Sequence, residues 1–419
     1  MSSSIQPAAR HFRLDLLRAC AIGLVFLFHY PTFVNREPSL GTWFEGGWLG
    51  VDLFFVLSGF LIADQLLKGA GRDRTLRWRS FWWRRAWRTW PLFFLVLAAF
   101  LAWPAWLGGK APPPWWRFAT FTQNILLQPG TAFSHAWSLC IEEQFYAVLP
   151  IVFSGAWWLV RRGWVSARRL MIVGVVATSA LGLGVRWWLW LAYGTIVPGQ
   201  ESSFGRDFYA HFYYASWCRF DEFVPGIAVA WLHRREPVAW SWLRERAGVL
   251  ALVAALLAAW GVDEAGARFF VEGVGTPFHV HVLGLTVMPW LFAALLPWAL
   301  TGPQHDLSRP IRDTGFWGAL AWAARAMVHR VAVWSYALYL IHKPLGHLLS
   351  RHVWPQGASP WGLLALTVAL SLAISWLLCR VVERPFMAWR DRHAQPLWRK
   401  RPGEALDGLP LRPQALAGD

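Results

Sequence analysis

Residues 47–67 read GWLGVDLFFVLSGFLIADQLL, and residues 68–88 continue KGAGRDRTLRWRSFWWRRAWR. The first block carries two charges, Asp52 and Asp64, in an otherwise continuous apolar run. At 1.5 Å per residue it is long enough to cross a hydrocarbon core of roughly 30 Å. Its apolar residues do not alternate with polar ones, which points to a helix and away from a strand of a membrane barrel. The second block carries Lys68, Arg72, Arg74, Arg77, Arg79, Arg84, Arg85 and Arg88 against one acid, Asp73. A basic cluster flanking a membrane helix marks its cytoplasmic end.

The same alternation extends in both directions. Apolar runs predict helices near residues 14–33, 47–67, 88–108, 136–160, 170–192, 217–233, 248–261, 280–300, 331–348 and 361–383. Basic residues recur in every second connection, at Arg161, Arg162, Arg168 and Arg169, then at Arg234, Arg235, Arg244 and Arg246. They return at Arg309, Arg312, Arg325 and Arg330, and in the tail at Arg390, Arg392, Arg399, Lys400 and Arg401. The expected fold class is therefore all-α, a polytopic bundle of about ten transmembrane helices with both termini cytoplasmic. The composition agrees: of 419 residues, 56% are hydrophobic and only 15% charged, too few charges for a soluble surface. The net charge of +16 follows from the cytoplasmic loops and calls for no nucleic acid. Cys20, Cys140, Cys218 and Cys379 lie in apolar segments without metal-ligand spacing, so neither a disulfide framework nor a metal site is expected. The first run ends in His29-Tyr30-Pro31 without a small-residue cleavage pattern and reads as a retained helix.

Ionisable groups inside spans are costly, and each raises a functional question. Arg18 and His29 are eleven residues apart, almost three helical turns, so they project from one face about 16 Å apart. Taken singly, Arg18 can snorkel to headgroups and His29 can be an interfacial histidine. His135, Ser138 and Glu142 are spaced to share a helix face, and Glu143 follows directly. Pairing of these acids with an arginine such as Arg219 is the bland alternative. Asp52, Arg219, Asp221, Glu222 and His342 fall in outer halves of other spans. Arg84, Arg85, Arg88, Glu383 and Arg384 fall at the inner side. Arg85 and Arg88, one turn apart at a helix start, suit a phosphate-rich ligand, although headgroups alone would also explain them. A cationic inner mouth fits an anionic cytoplasmic donor. A histidine and carboxylates outside fit deprotonation of an acceptor, because a general base needs a pKa near the working pH.

Five blocks stand out over residues 12–391: Arg18 to His29; Gly50-Val51-Asp52-Leu53-Phe54-Phe55-Val56-Leu57-Ser58-Gly59-Phe60; Arg84-Arg85-Ala86-Trp87-Arg88-Thr89-Trp90-Pro91; His135 to Tyr146; and Ser335 to Pro344 with Glu383-Arg384-Pro385. In this order they resemble the acyltransferase-3 family of bacterial membrane acyltransferases, with Thr89 replacing the usual aliphatic residue. Residues 392–419 are expected to form a flexible cytoplasmic tail. The resemblance implies transfer of an acyl group, usually acetyl, from cytoplasmic acyl-CoA to a hydroxyl at the outer face of the bacterial inner membrane. Acceptors would be sugars of lipopolysaccharide, exopolysaccharide or another glycan, a lipid-linked sugar, or a small molecule such as a macrolide. The expected partners are acyl-CoA, this acceptor and membrane lipids, with no permanently bound cofactor. Some relatives append a periplasmic hydrolase-like domain; without one, any second transfer step would need a separate partner. In this scheme Arg85 and Arg88 hold the CoA phosphates, and Arg18 and Arg384 add positive potential. His29 is the general base, with Asp52 or Glu142 orienting its imidazole. A transporter or flippase for an anionic metabolite would explain the same polarity, but no inverted repeat is evident.

Overall fold

The computed structural model describes residues 11–35, 41–70, 74–196, 201–271, 274–302, 315–355 and 357–400. Its long helices are α1 (Phe12–Phe33), α2 (Gly50–Gly69), α3 (Trp78–Ala102), α4 (Trp137–Arg161), α5 (Ala167–Tyr193), α6 (Val224–Arg235), α7 (Ala247–Ala267), α8 (His279–Thr301, beginning as a π-helix), α9 (Gly315–Leu348), α10 (Pro360–Leu378) and α11 (Arg384–His393). Eight segments are long and apolar enough to cross a membrane. The chain is an all-α polytopic membrane protein. Two of the ten expected spans fall outside that set for separate reasons. The sixth opens in 3-10 turns at Ser216–Cys218 and Phe220–Phe223 and leaves α6 only 12 residues. The ninth, within the 34-residue α9, has ample length, but Ser335, Tyr336, Tyr339, His342, Lys343 and His347 lower its hydropathy.

Local signals explain the helix ends. Ser166 caps α5 by accepting from the Arg169 amide at 3.2 Å, and Ser359 does the same for α10 with Pro360 in its first turn. Helix α3 stops before Trp103-Pro104, where the residue preceding proline disfavours helical geometry. It also starts ten residues earlier than its apolar run, at Trp78 rather than near residue 88. The Arg/Trp segment is therefore helical, and Arg84, Arg85 and Arg88 sit on its second and third turns.

Helix α2 is the hub, with 83% of its window buried against about a third for α1. It packs most extensively on α6, and glycines make this approach possible. A Cβ on Gly226 would lie 2.0 Å from the Val56 carbonyl oxygen, and one on Gly59 2.2 Å from that of Phe223. Small residues at such contacts let membrane helices gain dispersion and backbone packing where lipid offers no hydrophobic drive. Helix α9 lies along α1 on one side and α10 on the other. The only sheet among the described residues pairs β1 (Arg74–Leu76) with β2 (Trp398–Lys400), antiparallel, with Thr75 opposite Arg399. Gln395 accepts from Arg77 and, through its carbonyl, from Ser80. The first part of the expected tail is thus strapped to the start of α3; residues 401–419 lie outside the described residues.

Candidate functional site

Helix α1 presents Arg18 and His29 to two different cavities. The first, of about 320 Å³, is lined by Arg18, Arg85 and Arg88 together with Gln65, Ser58 and Glu142. The second, of about 220 Å³, is lined by His29, His135 and Lys343 and by an aromatic wall. The same four helical elements build both. Along α1 the lining passes from Arg18 to Val25 and His29, and along α9 from Ser335 and Tyr336 to Lys343. Along the segment leading into α4 it passes from Glu142 and Ser138 to Trp137 and His135. Val51 of α2 and Tyr339 of α9 line both cavities and stand between them. The Tyr339 hydroxyl donates to the His135 carbonyl at 2.6 Å and lies 2.5 Å from Ser138 Oγ, which clamps the ring across the partition.

In the arginine cavity, Arg85 donates to Gln65 Oε1 at 2.9 Å and lies 5.3 Å from the Tyr146 ring centroid. Glu142 accepts from Ser58 and from Tyr146 on one oxygen. Among the described residues, neither Arg18 nor Arg88 has a hydrogen bond or an ion pair. By contrast, Arg186 is locked bidentate to Asp221 at 2.6 Å, and Arg219 bonds Asp52 and lies 2.9 Å from Glu222. Arginines buried for structure are paired; of the three that line the cavity, Arg18 and Arg88 are without a partner among the described residues and so open to a ligand. Arg384 lies apart from this group, exposed on the first turn of α11 and outside the cavity lining.

Hydrogen bonds determine the tautomers in the histidine cavity. His342 Nδ1 lies 2.9 Å from the Leu338 carbonyl, which can only accept, so that nitrogen carries the proton. In the neutral ring His342 Nε2 is then an acceptor, and its partner at 2.9 Å, His29 Nδ1, must donate. His29 Nε2 is left with its lone pair free. An imidazole with a buried, fixed Nδ1–H and a free Nε2 is the form a general base requires. His135 is anchored oppositely, donating from Nε2 to the Leu340 carbonyl at 3.1 Å.

The sequence places His342, rather than Asp52 or Glu142, against His29 only through the fold. Asp52 is fully buried on Arg219 and lines neither cavity, while Glu142 belongs to the arginine cavity. Arg219 accordingly serves Asp52 and not the Glu142–Glu143 pair, whose second member accepts from Thr89 and Trp90. Sequence reasoning gave no role to Lys343 or Tyr339, although both stand in the block Ser335 to Pro344. Nothing in the sequence singles out Arg186, whose helix is otherwise turned to the outside.

A family model described as an acyltransferase domain, acyltransferase-3, matches residues 11–380. The chain belongs to this acyltransferase family. It is 25% identical, over 93% of its own length, to the peptidoglycan O-acetyltransferase OatA of Listeria monocytogenes. It is 33% identical over 33% of its length to YrhL of Bacillus subtilis, which is named as a proposed peptidoglycan O-acetyltransferase. It is 32% identical over 33% of its length to SACOL0978 of Staphylococcus aureus, named as a proposed O-acetyltransferase. The chain spans 59% of the Listeria acyltransferase and about a quarter of each of the other two. No solved structure matches it.

Proposed function

We propose that this acyltransferase moves an acyl group, acetyl in the first instance, from acyl-CoA in the arginine cavity to a glycan hydroxyl in the histidine cavity. The observation that carries the reading is the tandem arrangement: two open guanidiniums in one cavity and a tautomer-fixed base in the next, separated by one tyrosine and one valine. The basic connections support an orientation with the arginine cavity at the cytoplasmic side and the histidine cavity at the outer side, in what we take to be the bacterial inner membrane. The glycan acceptor and the acetyl group are supported by the relatives' names.

Arg18, Arg85 and Arg88 hold the anionic donor, and the exposed Arg384 adds positive potential near the entrance. The thioester end of the donor passes the Val51–Tyr339 partition toward His29. His29 Nε2 takes the proton of the acceptor hydroxyl as the oxygen attacks the thioester carbonyl. The C–O bond forms, the C–S bond breaks, and the leaving thiolate takes the proton back from the imidazolium. Asp52 contributes by holding Arg219 at the base of α2. Glu142 contributes by fixing Tyr146 and Ser58 beside Arg85. The anion-transporter reading shares the open arginines, but a base oriented by a second histidine serves chemistry rather than passage.

The test is genetic and chemical. The gene is deleted and restored as wild type or as His29→Ala, and surface glycans are compared by mass spectrometry for alkali-labile acyl groups. An acyl group present only with the wild type supports the assignment; identical glycans in all three strains refute it.

A further inference from the structure

Lys343 is the one charged side chain besides histidine among the residues lining the histidine cavity, and no carboxylate lines it. It is 8% exposed, so it is more than nine-tenths buried. Its ammonium lies 3.6 Å from the centroid of the Phe33 ring, a cation–π contact that orients the charge without neutralising it. Among the described residues it has no hydrogen bond and no ion pair. The other deeply buried cations, Arg186 and Arg219, show what this protein does with a structural charge: each is bound to carboxylates. A desolvated amine without a counter-charge is expensive to hold as an ammonium, and an arriving anion would stabilise its charged form.

The rest of the lining suits a sugar. Trp48, Trp137, Tyr209, Tyr213, Tyr214 and Phe28 line it with aromatic surface of the kind that packs against C–H groups of a pyranose ring. His29 is the base that meets its hydroxyl. We infer that the acceptor is an acidic glycan, with a carboxylate or phosphate on or beside the acylated sugar, and that Lys343 is the residue that reads this charge. The inference rests on the histidine cavity being the acceptor site.

The probes are methyl glucoside and methyl glucuronide, which differ in one carboxylate. Binding to the full chain in lipid nanodiscs is measured by calorimetry without any acyl donor. Wild type should bind the glucuronide about tenfold or more tighter than the glucoside, the size of one charge-assisted hydrogen bond. Lys343→Gln should bring the two dissociation constants together by weakening the glucuronide alone. Lys343→Arg should keep the preference, which shows that the loss in Lys343→Gln is one of charge and not of fold. Equal binding of both sugars by wild type, or a preference that survives Lys343→Gln, overturns the proposal. A second measurement adds acetyl-CoA and follows transfer by mass spectrometry. Binding discrimination without any His29-dependent transfer would refute the proposed reaction while leaving the Lys343 site standing.

Discussion

Replacing His342 with Phe removes the acceptor that holds His29 in its working tautomer while keeping an aromatic ring in the space. In the wild type the chain of bonds runs from His29 Nδ1 to His342 Nε2 and from His342 Nδ1 to the Leu338 carbonyl, 2.9 Å at each step. Without His342 the buried Nδ1–H loses this acceptor, which costs about 1–3 kcal/mol. That cost favours the other tautomer, whose protonated Nε2 cannot accept a proton from the acceptor. Converted at RT, kcat should fall roughly 5- to 150-fold. The KM for acyl-CoA should not change, because Arg18 lies about 16 Å along α1 from His29 and the donor site is untouched. His342→Gln, whose side-chain oxygen can accept from Nδ1–H, should recover part of the loss. The assay is acyl transfer by the purified protein in nanodiscs, with donor and acceptor varied separately. His29→Ala should cost about 10²- to 10⁴-fold, and adding His342→Phe to it should cost nothing more. A fall of less than twofold in His342→Phe, or a double variant whose losses multiply, would show that His342 does not act through His29.

Three further outcomes follow from the same geometry. Arg18→Gln and Arg88→Gln should each raise the KM for acyl-CoA about tenfold with a smaller effect on kcat, since both guanidiniums are open to the donor; Arg384→Gln, outside the cavity, should change KM less than threefold. Equal effects at all three positions in a donor titration would contradict the separation of Arg384 from the cavity. Tyr339→Ala removes the partition, so CoA release measured by a thiol reagent should exceed acyl transfer as water reaches the thioester, whereas Tyr339→Phe should keep the two nearly equal; a one-to-one ratio in Tyr339→Ala would show that the ring seals nothing. Gly226→Ala drives a Cβ into the Val56 carbonyl and should destabilise the α2–α6 contact by about 1–3 kcal/mol, read as a lower melting temperature in detergent.

What the sequence displays well is one-dimensional. Apolar length and the alternation of basic connections place most helices within a few residues, although α3 begins ten residues and α9 is already helical sixteen residues before its apolar run, and the eleven-residue interval between Arg18 and His29 puts both on one face of α1. Spacing alone does not give depth. His135, Ser138 and Glu142 are spaced for one face, and the 3-10 turn Ser134–Ala136 brings residues three apart closer still to one line. His135 nevertheless lines the histidine cavity, while Ser138 and Glu142 line the arginine cavity. The difference is depth, since seven residues along a helix span about 10 Å, enough to move a carboxylate from one compartment to the other. The larger gap concerns partners. Asp52 meets Arg219 across 167 residues and His29 meets His342 across 313, and no local pattern announces either contact. As letters in apolar runs, Arg18, Arg186 and Arg219 pose the same question, and Lys343 joins them. The fold answers it by pairing. Arg186 and Arg219 find carboxylates and hold helices together, whereas Arg18 and Lys343 are left facing cavities on either side of Tyr339. On the proposed function, a charge that the protein leaves unpaired at a cavity is held for something that arrives, and the half-buried Arg18 and the buried Lys343 would mark the two ends of one transfer path.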